Sequence, residues 1–271
     1  MNTIITLTTD FGLTDEYVGV MKGVILAHNP AVHIVDLTHY IRPQNISQAA
    51  FAIGASYRYF PKGSIHVVVV DPGVGSKRRI ILLRADGHLF IAPDNGVLSL
   101  VHSAKTEDIF EITNEDYFLK PVSNTFHGRD IMAPAAAHLA GGLDPAQLGP
   151  RLEADQLRTL PITAAQHDKD LKSVLGSVVT TDHFGNLITN IPWELLARLP
   201  GKPAEENLLF TIRATKIAGL KTAYNEAADG ILLAIIGSRG FVEICANMDS
   251  AARILEAGPG DEVRVSINEE L

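Results

Sequence analysis

Val67, Val68, Val69 and Val70 follow one another without a polar interruption and end at Asp71. A strand with one wet face alternates, whereas a strand covered on both faces does not, so this run predicts a strand from Ser64 to Val70 inside a parallel sheet. A first strand is predicted from Thr3 to Thr9 ahead of Asp10, and another at His33 to Leu37. Between them the spacing becomes helical, with Val18, Met21, Ile25 and Leu26 following Asp15, then Ile46 to Tyr59. Ile80 to Leu83 and His88 to Ala92 add two strands. Ile131 to Ala140 adds a helix, with Pro134 tolerable only in its first turn. Strand and helix in alternation predict an α/β domain over residues 1–150 with a mostly parallel sheet covered on both faces.

The pattern changes after Gly142. From Asp144 to Lys172 no period is sustained and Pro145, Pro150 and Pro161 interrupt the chain, so residues 151–172 read as a connector. Beyond it lie short strand candidates, Ser173 to Thr181, Leu208 to Arg213, Ile231 to Ile236 and Glu262 to Ile267, separated by Gly, Pro and Asn. These predict a smaller all-β, barrel-like domain over residues 173–271.

Composition narrows the function. With 271 residues, 46% hydrophobic and 20% charged, the chain has ample material for a packed core. A formal net charge of −8 disfavours nucleic acid as the main partner. A single cysteine, Cys245, permits no intramolecular disulfide and no multi-cysteine zinc site, which makes the cytoplasm the expected location. The first residues lack the basic and apolar regions of a signal peptide, and no apolar run reaches the roughly 20 residues of a membrane span.

Four polar clusters remain. Asp71 stands at the carboxyl end of a buried strand, the edge where open α/β sheets bind ligands. Three roles are open to its loop: a phosphate cradle at Gly73 and Gly75, a working carboxylate with Arg78 or Arg79 folded over it, or a capped turn. The cradle is the weakest, since GxxxxGK[ST] is not met. Asp10, in TTDFG, occupies the same kind of strand end, with an N-cap for the following helix as the structural alternative. A kinase reading of DFG fails on motif order. In FHGRD, His127 is the functional candidate, whereas Arg129 and Asp130 suit an ion pair or cap. In TTDHFGNLITNIP, Phe184 can stack on a flat ring and Asn186 can pair with a base edge, although an Asn-rich turn explains both. IIGSRGFVEICAN offers Ser238, Arg239 and Glu243 around a turn. No HExxH, HxH or EF-hand spacing occurs, so no metal site is expected.

Together the segments TTDFG, DEYVGVMKG, DLTH, VVDPGVGSKRR, APDNGVLS, FHGRDIMAPAAAHLA, DHFGNLITN and GSRGFVEICAN, in this order, resemble the S-adenosylmethionine hydroxide adenosyltransferases, relatives of the fluorinases and chlorinases. The resemblance spans nearly the whole chain, with Cys245 standing where the family more often has a small residue. It implies hydrolysis of S-adenosyl-L-methionine by water to adenosine and L-methionine, with no cofactor. It implies Asp71, Arg78 and His127 as the catalytic set and Asp10 as the carboxylate that grips the ribose hydroxyls. Phe184 and Asn186 would contact adenine, and Ser238, Arg239 and Glu243 would hold adenine and the methionine end. It further implies an α/β domain followed by a β-barrel domain, and a homotrimer whose sites join one subunit's N-terminal domain to a neighbour's C-terminal domain. Two other classes stay open at this point: a non-catalytic S-adenosylmethionine or adenosine binder, and a metal-dependent hydrolase.

Overall fold

The structure is a computed structural model that describes residues 3–102, 106–160, 165–168, 172–200 and 204–268. The chain divides into two units, Met1–Pro161 and Ile162–Leu271. Residues 161–164 and 169–171 of the stretch read as a connector, Pro161 among them, lie outside the described residues.

In the first unit the elements run β1 (Ile4–Thr9), α1 (Tyr17–His28), β2 (His33–Thr38), α2 (Ile46–Ser56), β3 (Ile65–Val69), β4 (Ile80–Ala85), β5 (His88–Pro93), β6 (Thr106–Glu111) and α3 (Ala133–Ala140). The strands form one sheet in the order β2-β1-β3-β5-β4-β6. The valine run behaves as its pattern requires. Val67 and Val69 face a core shared with α1 and α3 residues Met21, Ile25, Ala136 and Leu139, while Val68 and Val70 face a second core with Ala49 and Ile53 of α2. Alternate residues of one strand therefore bury on opposite faces.

The structure refines three expectations. The sheet is mixed, because β4 pairs antiparallel with both β5 and β6. The cause is the pair Asp86-Gly87, with φ of 49° and 73°, a two-residue hairpin turn that reverses the chain between Ala85 and His88. Leu26 is 43% exposed, because α1 buries the narrower stripe of Val18, Met21 and Ile25. The helix expected over Ile46 to Tyr59 ends at Ser56 and tightens into a 3₁₀ turn at Tyr57–Tyr59.

The second unit contains β7 (Gln166–Asp168), β8 (Ser173–Thr181), β9 (Leu187–Pro192), β10 (Leu208–Ile212), β11 (Thr215–Ala218), β12 (Leu220–Lys221), β13 (Leu232–Ile236), β14 (Phe241–Ala246) and β15 (Glu262–Ile267). They build a nine-stranded, nearly closed barrel-like sheet in the order β11-β10-β15-β8-β9-β14-β13-β12, with β7 also on β8. β8 turns the corner: Ser173–Ser177 pair with β15, and Val178–Thr181 pair with β9. Gly176 lies at that bend, where a Cβ would fall 2.4 Å from Asn190 Oδ1. Apolar residues of several strands, including Val178, Phe210, Ile244 and Val263, fill the interior.

Two histidines are buried in the first unit, away from the sheet's ligand edge. Thr6 Oγ1 lies 2.8 Å from His66 Nδ1, and His66 Nε2 lies 3.3 Å from His88 Nδ1. Neither ring is exposed, and Tyr57 and Phe90 pack against both. Burial, with a smaller contribution from His88, pushes His66 down to about 3. Burial and then Lys62 lower His88, partly opposed by Asp86. Both rings are thus neutral in the folded protein near neutrality. The unfolded chain takes up their protons near pH 6.5, so it binds more protons than the native state below that value. The stability His66 contributes is complete above about pH 6.5 and declines toward pH 3 by at most about 1.4 kcal/mol per unit. Urea unfolding at pH 6.5 and pH 5 should therefore show His66→Leu losing about 2 kcal/mol less stability than the parent over that interval. Equal losses would remove His66 from the acid sensitivity of the fold.

Candidate functional site

β1 pairs with β2 on one side and β3 on the other, all parallel, so the strand order reverses between β1 and β3. A crevice opens outside the carboxyl ends of such a pair. Thr9 pairs with Val69, which sends Asp10 and Asp71 out of neighbouring strand ends at the same edge. They line a cleft of about 280 Å³ with Phe11, Gln44, Phe126 and His127. Phe11, Tyr17 and Phe126 pack edge-on or tilted to one another at 5.3 to 5.8 Å, an apolar cluster that includes two of the cleft-lining residues.

Arg78, rather than Arg79, folds over Asp71. Its Nε donates to Asp71 Oδ1 at 2.8 Å and Oδ2 at 2.7 Å, and its Nη2 donates to Oδ2. Both side chains are only 5% exposed, and a pair this dry is stable only with such charge-assisted geometry. Nη2 also lies 2.8 Å from His127 Nδ1. A guanidinium cannot accept, so Nδ1 must, and the proton of the neutral ring sits on Nε2. Burial lowers the His127 pKa, Arg78 lowers it further, and Asp71 and Asp130 oppose them. The set is therefore a carboxylate, a cation and a neutral imidazole with one N–H left to donate. Asp71 is no cap, and Asp10 does not cap α1 either: Glu16 occupies that position, while Asp10 Oδ2 accepts from Gln44 N at 2.7 Å.

The three loops are fixed from behind. Arg79 turns away from Asp71 to Asp94, with Nε 2.9 Å from Oδ2, and Asp94 Oδ1 accepts from Arg158 N. Gly75 has φ of 77°, and a Cβ there would fall 2.3 Å from the carbonyl oxygen of Asn124, three residues before His127. The loop carrying Asp71 thus lies directly on the loop carrying His127. The helix expected from Ile131 begins earlier, as a π turn over Gly128–Met132 in which Ala133 N donates to Gly128 O. Pro134 has no N–H for the Asp130 carbonyl, and Leu119 N donates there instead at 2.8 Å. The Asp130 carboxylate, fully buried, takes Arg129 Nε at 2.6 Å and Ser123 N at 2.7 Å, the ion pair its sequence position suggests.

Within the second unit, Asp182 organises the turn between β8 and β9. Its Oδ1 accepts from Phe184 N and Asn186 N, and its Oδ2 from Asn186 Nδ2, each at 2.9 Å. That closure leaves Phe184 75% exposed and Asn186 buried, with Asn186 Oδ1 and a second amide hydrogen still available. Gly185 (φ 88°) packs where any Cβ would strike Ser250. Ser238 and Arg239 form the exposed turn between β13 and β14, and Glu243 sits buried on β14. Burial raises the Glu243 carboxyl pKa, Arg239 counteracts this, and Asp182 adds to it. Tyr224, pushed up to about 12 by burial and then by Cys245, Glu243 and Asp182, belongs to the same cluster. Its position, Asp182's role in the turn and the cleft contact of Gln44 were missed in the sequence; only the Asp-x-x-Gly turn gave a usable sign of Asp182. Among the described residues no three His, Cys, Asp or Glu side chains group to hold a metal, and no helix is long and apolar enough to cross a membrane.

Comparison with known proteins decides the family. The model of the SAM hydroxide adenosyltransferase N-terminal domain matches residues 5–149, and that of the C-terminal domain matches residues 176–264. The chain belongs to the SAM hydroxide adenosyltransferase family. A relative from Salinispora tropica named (R)-S-adenosyl-L-methionine hydrolase is 36% identical over 97% of each chain. A fluorinase from Nocardia brasiliensis is 28% identical, also over 97% of each. A crystal structure of an uncharacterized conserved protein from Thermotoga maritima superimposes with a TM-score of 0.90 at 36% identity, covering 97% of this chain and 99% of its own.

The contact at Gly75 gives the site's geometry a direct test. Gly75→Ala should lower the midpoint of thermal unfolding by several degrees, through the positive φ and the Asn124 carbonyl, and lower turnover at least tenfold. A variant with unchanged melting and turnover would mean that the two loops are not held by this contact.

Proposed function

We propose that this protein hydrolyses S-adenosyl-L-methionine to adenosine and L-methionine, without a metal or cofactor, at the cleft where β1 and β3 part. The observation that carries this reading is the continuous hydrogen-bonded set Asp71–Arg78–His127, whose carboxylate and imidazole line that cleft. A protein that only binds a nucleoside has no use for a buried carboxylate shared with a cation beside a neutral imidazole. The name of the Salinispora relative points the same way.

The electrophile is C5′ of a sulfonium, whose thioether leaves neutral and needs no acid. The nucleophile is the obstacle. Transferring a proton fully from water (pKa about 15.7) to a carboxylate (about 3.9) is uphill by about 12 units, or roughly 16 kcal/mol. Asp71 therefore orients the water and takes its proton only as the C5′–O bond forms and the C5′–S bond breaks. Asp71 Oδ2 accepts from both Nε and Nη2 of Arg78, whereas Oδ1 accepts from Nε alone and keeps a lone pair to accept from water. Arg78 supplies the fixed positive charge, and His127, being neutral, contributes an Nε2–H donor to the developing charge on oxygen. Asp10 grips the ribose hydroxyls. Phe184 stacks on adenine, Asn186 reads its edge, and Ser238, Arg239 and Glu243 hold adenine and the methionine end.

Water is favoured over halide by the same carboxylate. At about 4 Å and an effective dielectric near 20, Asp71 repels an anion by about 4 kcal/mol before Arg78 offsets part of it. Purified protein, treated with chelator and given S-adenosyl-L-methionine in oxygen-18 water with saturating chloride or fluoride, should release adenosine labelled at the 5′-hydroxyl together with methionine, and no 5′-halo product. Asp71→Asn should suppress turnover far more than it weakens adenosine binding. Halogenated nucleoside as the main product, unlabelled adenosine, or loss of activity on chelation with recovery on added zinc would each overturn the reading.

The assembly we propose is a cytoplasmic homotrimer in which the catalytic α/β domain of residues 1–150 on one subunit meets the β domain of residues 173–271 on its neighbour. The catalytic and ribose-side groups belong to the first unit and the adenine-side groups to the second, which is the division such a shared site requires. Mixing Asp71→Asn subunits with Asn186→Ala subunits should restore activity through hybrid assemblies. No recovery despite demonstrated subunit exchange would place each site within one chain.

A further inference from the structure

The segment Asp36-Leu37-Thr38-His39 contributes nothing to the mechanism above, yet its histidine is buried directly behind the cleft. His39 is 3% exposed. Its Nδ1 lies 2.9 Å from Thr9 Oγ1, at the last residue of β1. On the other side its Nε2 lies 3.0 Å from Asp36 Oδ1, at an angle poor for a linear hydrogen bond, and Asp36 Oδ2 accepts from Lys22 Nζ at 2.6 Å. Burial acts to raise the Asp36 carboxyl pKa, but the hydrogen bond from Lys22 and the close contact with His39 outweigh it and hold it below the ordinary value. A charged carboxylate thus faces Nε2, leaving Nδ1 directed at the threonine.

The chain of contacts ends at the cleft. Thr9 Oγ1 accepts from Phe11 N at 3.3 Å, and the His39 carbonyl accepts from Gly12 N at 2.8 Å, with Gly12 in the left-handed region at φ 68°. The two residues after Asp10 are therefore both fastened to His39, one through its ring by way of Thr9 and one through its backbone. Asp10 itself is tied at Oδ2 by Gln44 N, and no described residue donates to Oδ1. Few degrees of freedom remain to the carboxylate.

We propose that His39 is a positioning residue for Asp10: through Thr9 and the Phe11–Gly12 backbone it holds the carboxylate in the orientation that grips the substrate's ribose diol. This rests on the reading of Asp10 as the ribose-binding group. The consequence is specific, since loss of the His39 ring should cost recognition of the two hydroxyls while leaving the Asp71, Arg78 and His127 set in place.

The test measures binding of adenosine and of 2′,3′-dideoxyadenosine to the full-length protein in its native assembly, alongside kcat and KM for S-adenosyl-L-methionine. His39→Leu should reduce the preference for adenosine over the dideoxy compound at least fivefold and raise KM more than it lowers kcat. His39→Asn, whose amide oxygen stands near the place of Nδ1, should recover part of the preference. In the double variant Asp10→Ala/His39→Leu the preference should be no lower than in Asp10→Ala alone, because the two act through one contact. Thr9→Val, which keeps the side chain's shape and removes Oγ1, carries the same expectation if His39→Leu does not fold. An unchanged preference in a folded His39→Leu or Thr9→Val protein, with Asp10→Ala reducing it, overturns the positioning role alone. An unchanged preference in Asp10→Ala overturns the ribose reading and this proposal with it.

Discussion

The guanidinium of Arg78 is the piece on which the site's geometry depends, because it bonds both to a carboxylate and to an imidazole nitrogen. Asp71 without it would be a buried, uncompensated charge, a situation that typically costs about 3–5 kcal/mol. Its bond to His127 settles the tautomer of that ring at the same time. The surrounding architecture meets the demands of this one side chain. The strand-order reversal delivers Asp71 to the cleft, the entry into β4 delivers Arg78, and the π turn before α3 delivers His127. Arg79, one residue further, is held away by Asp94 and so cannot compete for Asp71.

The acid sensitivity of the first unit has a different origin from its chemistry. His66 and His88 sit on β3 and β5, the former on the strand that leads to Asp71, yet toward the opposite end of the sheet. They are buried among aromatic rings and line no part of the cleft. His127 is also neutral, but there the cause includes Arg78 as well as burial, and the ring stands at the cleft wall. Histidines that share a charge state in this fold therefore have separate tasks.

Much of the first unit was legible in the sequence because its signals are local. Unbroken valines mean two covered faces, and a carboxylate at the end of such a strand means a ligand edge. The direction of β4 was not assigned although Asp86-Gly87 is a strong hairpin signal, since a short apolar strand looks alike in either direction. Which arginine serves Asp71 was not legible from the residues themselves, because Arg78 and Arg79 are equivalent by composition and are separated by the position of Asp94 in space; only the family resemblance singled out Arg78. The second unit was harder. β7, β9, β11, β12 and β14 were missed as strands, because their sequences are short, lie in the stretch read as a connector, or carry polar residues that read as site candidates. Asp182 was overlooked for the complementary reason: its task is to close a turn on neighbours whose side chains drew the attention.

Pro134 shows how a deficiency in one element becomes a joint between two. A helix normally spends every interior carbonyl on itself, so it has none to offer to the chain outside. By lacking an N–H, the proline leaves the Asp130 carbonyl unclaimed in the middle of a continuous helical segment, and the 119–125 stretch is anchored by that oxygen and by the side chain of the same residue. One residue thus holds the segment leading to His127 at two points, through main chain and carboxylate together. Any other amino acid at position 134 would carry its own donor and contest the carbonyl with Leu119. The alignment of the imidazole is therefore written partly in a hydrogen that the sequence withholds.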